Sequence, residues 1–383
     1  MADAPLIFSA VSSNAHHLYT LLQCIGFAPK ATVQITPDGI RFSVEEGRVI
    51  QGLAFLDKAL FTSYTFNPPT APNNRSHEED GYSDSTYLPC FVVSLSALLE
   101  TLKIFGINDP SAAGVNKAAS VQSSVPPSSN AFTTPALLGD RSCTLRYPQD
   151  GSPLSITLME TGVKTTCELT TYESDGGDID IPLQRDAIIM KVIMRSSWLH
   201  NAVMELGATN PNILKLSACA DKEPFFALSG TGGPFSESSV EFSIEQQSQD
   251  KGESSQSRKV LTEDGTSRTR AKRAKGTPTV TETFLVTPPP SMGSRVIQNY
   301  RFSLVQKAAR AMAVANKVSI RGDKQGVLSL QFMIEFDTNG SGGVNSNVRP
   351  SGGISRPTVT FVDFRFVPLL DDEAADEGTV DLY

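Results

Sequence analysis

The side chains in this chain that could do chemistry are carboxylates and thiols. A two-metal nuclease needs several carboxylates converging on a pair of divalent ions. Asp38 falls in a turn sequence, Glu45 and Glu46 are neighbours, and Asp221, Glu223 and Asp363 are scattered. No Asp-x-Glu element with a distant Asp or His partner emerges from them. The cysteines Cys24, Cys90, Cys143, Cys167 and Cys219 form no CxxC pair and lie outside metal-ligand spacing of any histidine. They read as buried free thiols in a reducing compartment. The glycine-rich stretches at residues 230–233 and 338–353 lack the Gly-Lys-Ser/Thr ending of a nucleotide-binding loop. No catalytic residue, cofactor or metal ligand is therefore assigned.

Behind these residues the chain states one structural pattern twice. An apolar strand over residues 6–11 runs into a helix over 14–27, and another over 188–194 runs into a helix over 196–206. Each opening is followed by alternating strand patterns and a second short helix, at 94–105 and at 303–315. All four helices are amphipathic. The first sets Leu18, Leu21, Leu22 and Ile25 against His16, Thr20 and Gln23; the second sets Leu95, Leu98, Leu99 and Leu102 against Ser96, Glu100 and Lys103. The third buries Leu199, Ala202, Val203 and Leu206, leaving Ser197, His200, Asn201 and Met204. The fourth buries Leu304, Ala308, Ala311, Met312 and Ala315, leaving Gln306, Lys307 and Arg310. Residues 32–44 read as a hairpin through Pro37-Asp38-Gly39, and residues 318–334 as another. Hairpins of this density exclude a doubly wound parallel sheet. The expected class is α+β, with the architecture duplicated.

Composition bounds the rest. The 383 residues suffice for two or three domains. No apolar run approaches the roughly 18 residues of a membrane span. The start, MADAPLIFSA, lacks the basic and long apolar parts of a signal peptide, so secretion is not expected. A net charge of −8 argues against a large phosphate-clamping surface. Residues 67–86, 108–139 and 246–290 have the composition of disordered insertions, residues 338–356 form a Gly/Ser/Asn loop, and 371–383 an acidic tail. Removing the insertions brings the helix-to-helix spacings of the two halves into agreement. The expected domains are 1–170 and 184–370, joined by a connector at 171–183. Trp198 fits a buried helix-to-sheet anchor.

Four blocks carry a resemblance: DGIRFSVE at 38–45, SLSALLETLKIFG at 94–106, ILKLSACADKEPFFALS at 213–229 and, the most specific, KVSIRGDKQGVLSLQFMI at 317–334. Through them the chain resembles the Rad-one subunit family of the nine-one-one DNA-damage checkpoint clamp, a branch of the sliding clamps similar to the proliferating cell nuclear antigen. The resemblance implies a two-domain DNA-clamp fold, with antiparallel sheets outside and two helices per domain lining a channel. It implies a ring of three different subunits around double-stranded DNA, encircled without sequence readout. Rad-nine-like and Hus-one-like clamp subunits would be its neighbours, a separate clamp loader would open it, and repair and checkpoint proteins would be its clients. A nuclear location follows, with no cofactor and no membrane partner.

The resemblance also gives the surfaces roles. The polar helix faces turn to DNA through His16, Lys103, His200, Lys307 and Arg310, the last two sharing a face. A clamp held by topology needs few such contacts, which fits the missing basicity. The subunit edges fall on Val163, Thr165, Cys167 and Leu169, and on Val240, Phe242 and Ile244, both in alternating strand sequences. Val44, Arg48 and Val49 form one wall of a partner-peptide groove beneath the connector. The basic run Arg268, Arg270, Lys272, Arg273 and Lys275 reads as a nuclear-import signal or a nonspecific DNA contact, and equally as solvated linker charge. Some relatives have been described as metal-dependent three-prime to five-prime DNA exonucleases. That is the alternative function, and the scattered carboxylates favour a noncatalytic scaffold over it.

Overall fold

The computed structural model describes residues 6–68, 88–106, 142–160, 162–174, 180–243, 281–336 and 358–369. The basic run at 268–275 and Ile244 lie outside them. The first half runs β1 (Phe8–Ser12), α1 (Ala15–Cys24), β2 (Lys30–Thr36), β3 (Gly39–Glu46), β4 (Ile50–Asp57), β5 (Ser63–Phe66), β6 (Cys90–Ser94), α2 (Leu95–Gly106), β7 (Ser142–Tyr147), β8 (Leu154–Glu160) and β9 (Val163–Leu169). A short β10 (Tyr172–Glu173) follows. The second half runs β11 (Ile188–Arg195), α3 (Ser196–Gly207), β12 (Ile213–Cys219), β13 (Phe226–Thr231), β14 (Glu237–Phe242), β15 (Thr281–Val286), β16 (Arg295–Arg301), α4 (Phe302–Gln306), α5 (Ala309–Val314), β17 (Lys317–Asp323), β18 (Leu328–Phe336) and β19 (Thr358–Phe366). Strand for strand, β1–β9 correspond to β11–β19.

The sheets obey the same correspondence. The first half builds the order β5-β1-β7-β8-β9, and the second half repeats it as β15-β11-β17-β18-β19. The second half also builds β14-β13-β12-β16, and the first half repeats that as β4-β3-β2-β6. One sheet of each kind is fused: β19 pairs with β4, which makes a ten-stranded sheet crossing from one half to the other, with β10 added beside β6.

Local chemistry explains the elements. Asn14 caps α1, its Oδ1 accepting from the His16 N–H at 3.0 Å, and the Ser94 hydroxyl accepts from the Ala97 N–H at 3.2 Å at the start of α2. Leu18, Leu21, Leu22 and Ile25 are all at most 1% exposed, and Leu199, Ala202, Val203 and Leu206 are buried on α3, as the helical spacing predicts. Pro37-Asp38 closes the β2–β3 hairpin, with Thr36 opposite Gly39.

Three expectations are corrected. The fourth helix is two short helices, because the Lys307 and Ala308 N–H groups bond to Leu304 and Val305, three residues back, and tighten the turn. The insertion drawn over 246–290 takes in a true strand, β15. Trp198 is 41% exposed on α3, so it is not the buried anchor expected.

The β4–β19 contact is the structural centre of the chain. Val362 lies opposite Ala54, Phe364 opposite Gly52 and Phe366 opposite Ile50. A Cβ at Gly52 would stand 2.7 Å from Phe27 Cε1 and 3.1 Å from Ile25 Cγ2, so glycine lets the end of α1 lie directly on the seam. The Phe364 ring lies 6.0 Å from that of Phe27, 5.9 Å from Phe332 and 6.2 Å from Phe366. His17 of α1 stacks on Phe336 of the other half at 4.1 Å.

On the opposite face the chain after β10 latches both halves. Asp180 accepts from Arg41 Nη2 at 2.6 Å and from Gln51 Nε2 at 2.8 Å, and Arg365 Nη1 lies 3.8 Å away. Arg365 Nη1 also donates to the Ile181 carbonyl at 2.8 Å, and the Ile181 N–H donates to Gln51 Oε1 at 3.1 Å.

Candidate channel face and subunit edges

The helices pack in neighbouring pairs, α1 with α2 and α3 with α5, and α1 meets α5 across the halves. They form one layer over the sheets. Five side chains were expected on its open face. His16 is half-buried, with Nε2 3.4 Å from the Thr20 hydroxyl, and His200 is half-buried on α3. Lys103 is half-buried, 3.8 Å from Glu100 on the same helix. Lys307 does not stand free. Its ammonium is paired with both carboxylate oxygens of Glu46, a residue of the other half, and lies 5.7 Å above the Phe27 ring. Arg310 is exposed and makes no ion pair or hydrogen bond among the described residues. Lys307 is thus corrected from a free channel cation to a seam contact, and Arg310 is the best placed of the five to meet an anion.

Both edge strands named from the sequence are terminal: β9 ends the five-stranded sheet and β14 ends the four-stranded one. The side chains named on them mostly face inward. Leu169 is buried, Thr165 and Cys167 are half-buried, and Val163 alone is open at 57% exposure. On β14, Val240 is half-buried and Phe242 is 6% exposed, its ring 5.2 Å from that of Phe226. The outward sets are Lys164, Thr166 and Glu168 on β9, and Glu237, Ser239 and Glu241 on β14, all exposed. Alternation of period two fixes two faces without saying which is inside.

The groove wall is also corrected. Val44 is 1% exposed and belongs to the core, out of reach of any surface peptide. Arg48 is exposed, with a left-handed φ of 57° in the β3–β4 turn, where its N–H donates to Glu45 Oε1 at 2.9 Å. Val49 is half-buried, and its carbonyl accepts from the Val367 N–H at 2.9 Å.

Four of the six carboxylates considered for chemistry have structural partners. Asp38 pairs with Lys58 at 2.8 Å, Glu45 caps the Arg48 turn, and Glu46 holds Lys307. Asp363 accepts from the Ser329 hydroxyl at 2.8 Å and Arg365 Nε at 3.3 Å, with Arg321 Nη2 at 3.7 Å; burial nevertheless holds its carboxyl above the usual carboxylate range. Among the described residues no three of His, Cys, Asp and Glu converge as a metal site would require. Cys24 and Cys143 are buried, which pushes each thiol up to about 12 and keeps both protonated at neutral pH. The residues that sequence reasoning missed are Asp180, Arg41, Gln51 and Arg365. Gln51, in an otherwise apolar strand and 1% exposed, was the available signal.

The family profile described as Repair protein Rad1/Rec1/Rad17 matches residues 7–334. The chain belongs to that family. This Rad1-family chain is 28% identical over 364 residues to the DNA damage checkpoint control protein rad1 of Schizosaccharomyces pombe, covering 95% of this chain and 87% of that protein. The cell cycle checkpoint protein RAD1 of Homo sapiens is 26% identical over 329 residues, covering 85% of this chain and 86% of that one. Solved structures of PCNA have the same fold. That of Thermococcus kodakaraensis has a TM-score of 0.54 at 15% identity, covering 94% of this chain and all of the other. That of Entamoeba histolytica has a TM-score of 0.56 at 9% identity, covering 96% of this chain. The chain is therefore a Rad1-family member with the fold of PCNA.

Proposed function

We propose that this chain is a noncatalytic member of a ring of three different clamp subunits that encircles double-stranded DNA at damage sites and scaffolds checkpoint and repair proteins in the nucleus. One observation carries the reading. The strands β19 and β4 pair inside the chain, and their repeat-equivalents β9 and β14 each stand at a sheet end with one edge unpaired among the described residues. A chain that repeats its internal seam at both ends forms two of the repeating units in a closed ring, so three chains supply six. An exposed strand edge invites such pairing. The neighbours would be Rad-nine-like and Hus-one-like subunits. A clamp loader would open the ring, since no nucleotide-binding loop is present in the sequence.

The noncatalytic part of the reading is supported by four of these carboxylates, Asp38, Glu45, Glu46 and Asp363, each tied to a lysine, a turn or an arginine pair, and by the lack of any three converging metal ligands among the described residues. Single purified chain with magnesium or manganese and end-labelled DNA tests it. Turnover that survives repurification and is abolished by one carboxylate substitution would revive the exonuclease reading.

The ring is tested by mixing the chain with its two companion subunits and measuring mass in solution. One trimer of each is expected; a chain that stays monomeric with both refutes it. In the assembled ring, Lys103, Lys307 and Arg310 replaced together by Ala should leave the trimer intact and shorten retention on circular DNA by about tenfold at low salt, since each lost phosphate contact lowers the salt-dependent affinity. Arg310→Ala alone should give most of that effect, because Lys307 is already neutralised by Glu46. Equal retention of triple variant and wild type would remove these helices from the DNA-facing surface.

A further inference from the structure

We propose that a carboxylate pair set across the two free edges, Glu168 against Glu237, disfavours a ring of this chain with copies of itself and directs each edge to a differently charged neighbour. The inference rests on the ring reading above. Repeat equivalence fixes the register. In the first half, Ser12, Cys143, Leu158 and Thr165 lie side by side across the sheet; in the second half, Met194, Val318, Phe332 and Val362 do. Ser12 and Met194 are the last inward residues of β1 and β11, so Thr165 is the counterpart of Val362. Likewise Phe91, Val33, Phe42 and Ala54 match Gln298, Leu216, Leu228 and Val240. Phe91 and Gln298 stand at the same distance before Leu95 and Phe302, the first residues of α2 and α4.

Inside the chain Val362 faces Ala54, Asp363 faces Leu53 and Arg365 faces Gln51. Carried to the free edges, Thr165 faces Val240, Thr166 faces Ser239, and Glu168 faces Glu237. The next outward place puts Lys164 opposite Glu241. A ring of identical chains would therefore set one carboxylate directly against another at every contact, and like charges directly opposite across strands are destabilising. Lys215 approaches Glu237 at 3.5 Å, but Glu237 remains half-exposed and Glu168 has no ion pair among the described residues. The internal seam has no such clash, since its equivalent place holds Arg365 and Gln51.

The two edges ask for different partners. The β14 edge presents Glu237 and Glu241 with Ser239 between them, and fits a strand carrying basic residues at two outward positions four apart. The β9 edge presents Lys164 and Glu168, and fits a strand with a base opposite Glu168 and an acid or neutral residue opposite Lys164. Repulsion against the wrong partner selects the right one as effectively as attraction.

Sedimentation of the full chain alone tests this. Glu168→Lys should tighten self-association at least tenfold over wild type, the gain should shrink in 1 M salt as charge is screened, and adding Glu237→Lys should remove it. Wild type that associates as tightly as Glu168→Lys overturns the proposal, and so does a gain that persists in the double variant. Assembly of wild type with the two companion subunits is run in parallel. If wild type joins them while the charge variants leave self-association unchanged, this inference alone falls. If it joins neither, the ring reading falls.

Discussion

Phe364→Ala is expected to lower the stability of the whole chain by about 3–5 kcal/mol, the cost of emptying a well-packed aromatic site. Phe364 is fully buried and sits in β19 opposite Gly52, where rings from the turn after α1, from β18 and from β19 itself close around it. The glycine opposite offers no side chain to collapse into the space. Because Phe27 belongs to the first half and Phe332 to the second, the loss falls on the contact that joins them. Phe361, on the same strand but facing outward and 47% exposed, is the control, and its alanine variant should stay within about 0.5 kcal/mol of wild type. Urea unfolding of the two variants checks the contrast. Equal losses would mean that β19 is held by its hydrogen-bond ladder and not by its inward rings.

Asp363→Ala should cost about 3 kcal/mol and Asp363→Asn about 1 kcal/mol. Alanine leaves Ser329 without its acceptor and Arg365 without its carboxylate partner on the same strand. It also removes the carboxylate beside Arg321, whose Nε has no hydrogen-bond partner and whose Nη2 then keeps only its 3.0 Å bond to the Ser329 hydroxyl. Asparagine keeps an acceptor oxygen for Ser329. The negative charge it removes is one that burial already disfavours, which is why the carboxyl sits above the usual carboxylate range despite two guanidinium groups. The sign of the pH effect follows. A carboxyl raised in the folded state binds more protons folded than unfolded, so its contribution is full below the ordinary carboxylate range and is lost as pH rises through its raised midpoint. The stability advantage of wild type over Asp363→Asn should therefore shrink from acid towards neutral pH. Unfolding free energies across that range would contradict the assignment if the gap widened.

The sequence made the helices legible because leucine spacing at 3.6 residues has one reading. Leu18 to Ile25 and Leu199 to Leu206 went inside as expected. The edge strands were legible as strands, and both stand at sheet ends. Their inward faces were not, since an alternating strand looks the same from either side until its sheet has a covered face. Hence Leu169 and Phe242, read as contact residues, are packed inward. Val44 failed for the same reason in β3. The fate of Lys307 depended on Glu46, a residue of the other half, and no local pattern reports such a partner. The latch at Asp180 was hidden likewise, its Arg41, Gln51 and Arg365 contacts being far away in sequence. The break in the fourth helix lies between Gln306 and Ala309, in a run whose composition favours helix throughout.

A closed ring under load carries hoop tension through each strand-to-strand contact in turn. Only the contact inside this chain is doubly secured, by the peptide connection between the halves and by Asp180 reaching Arg41 and Gln51 of one half and Arg365 of the other. In the proposed ring the two outer contacts would rest on strand pairing and the side chains around it. Such chains would act there as three stiff double staves with three weaker joints, so anything that prises the ring open would meet its weak points at the β9 and β14 edges and not at the β4–β19 seam.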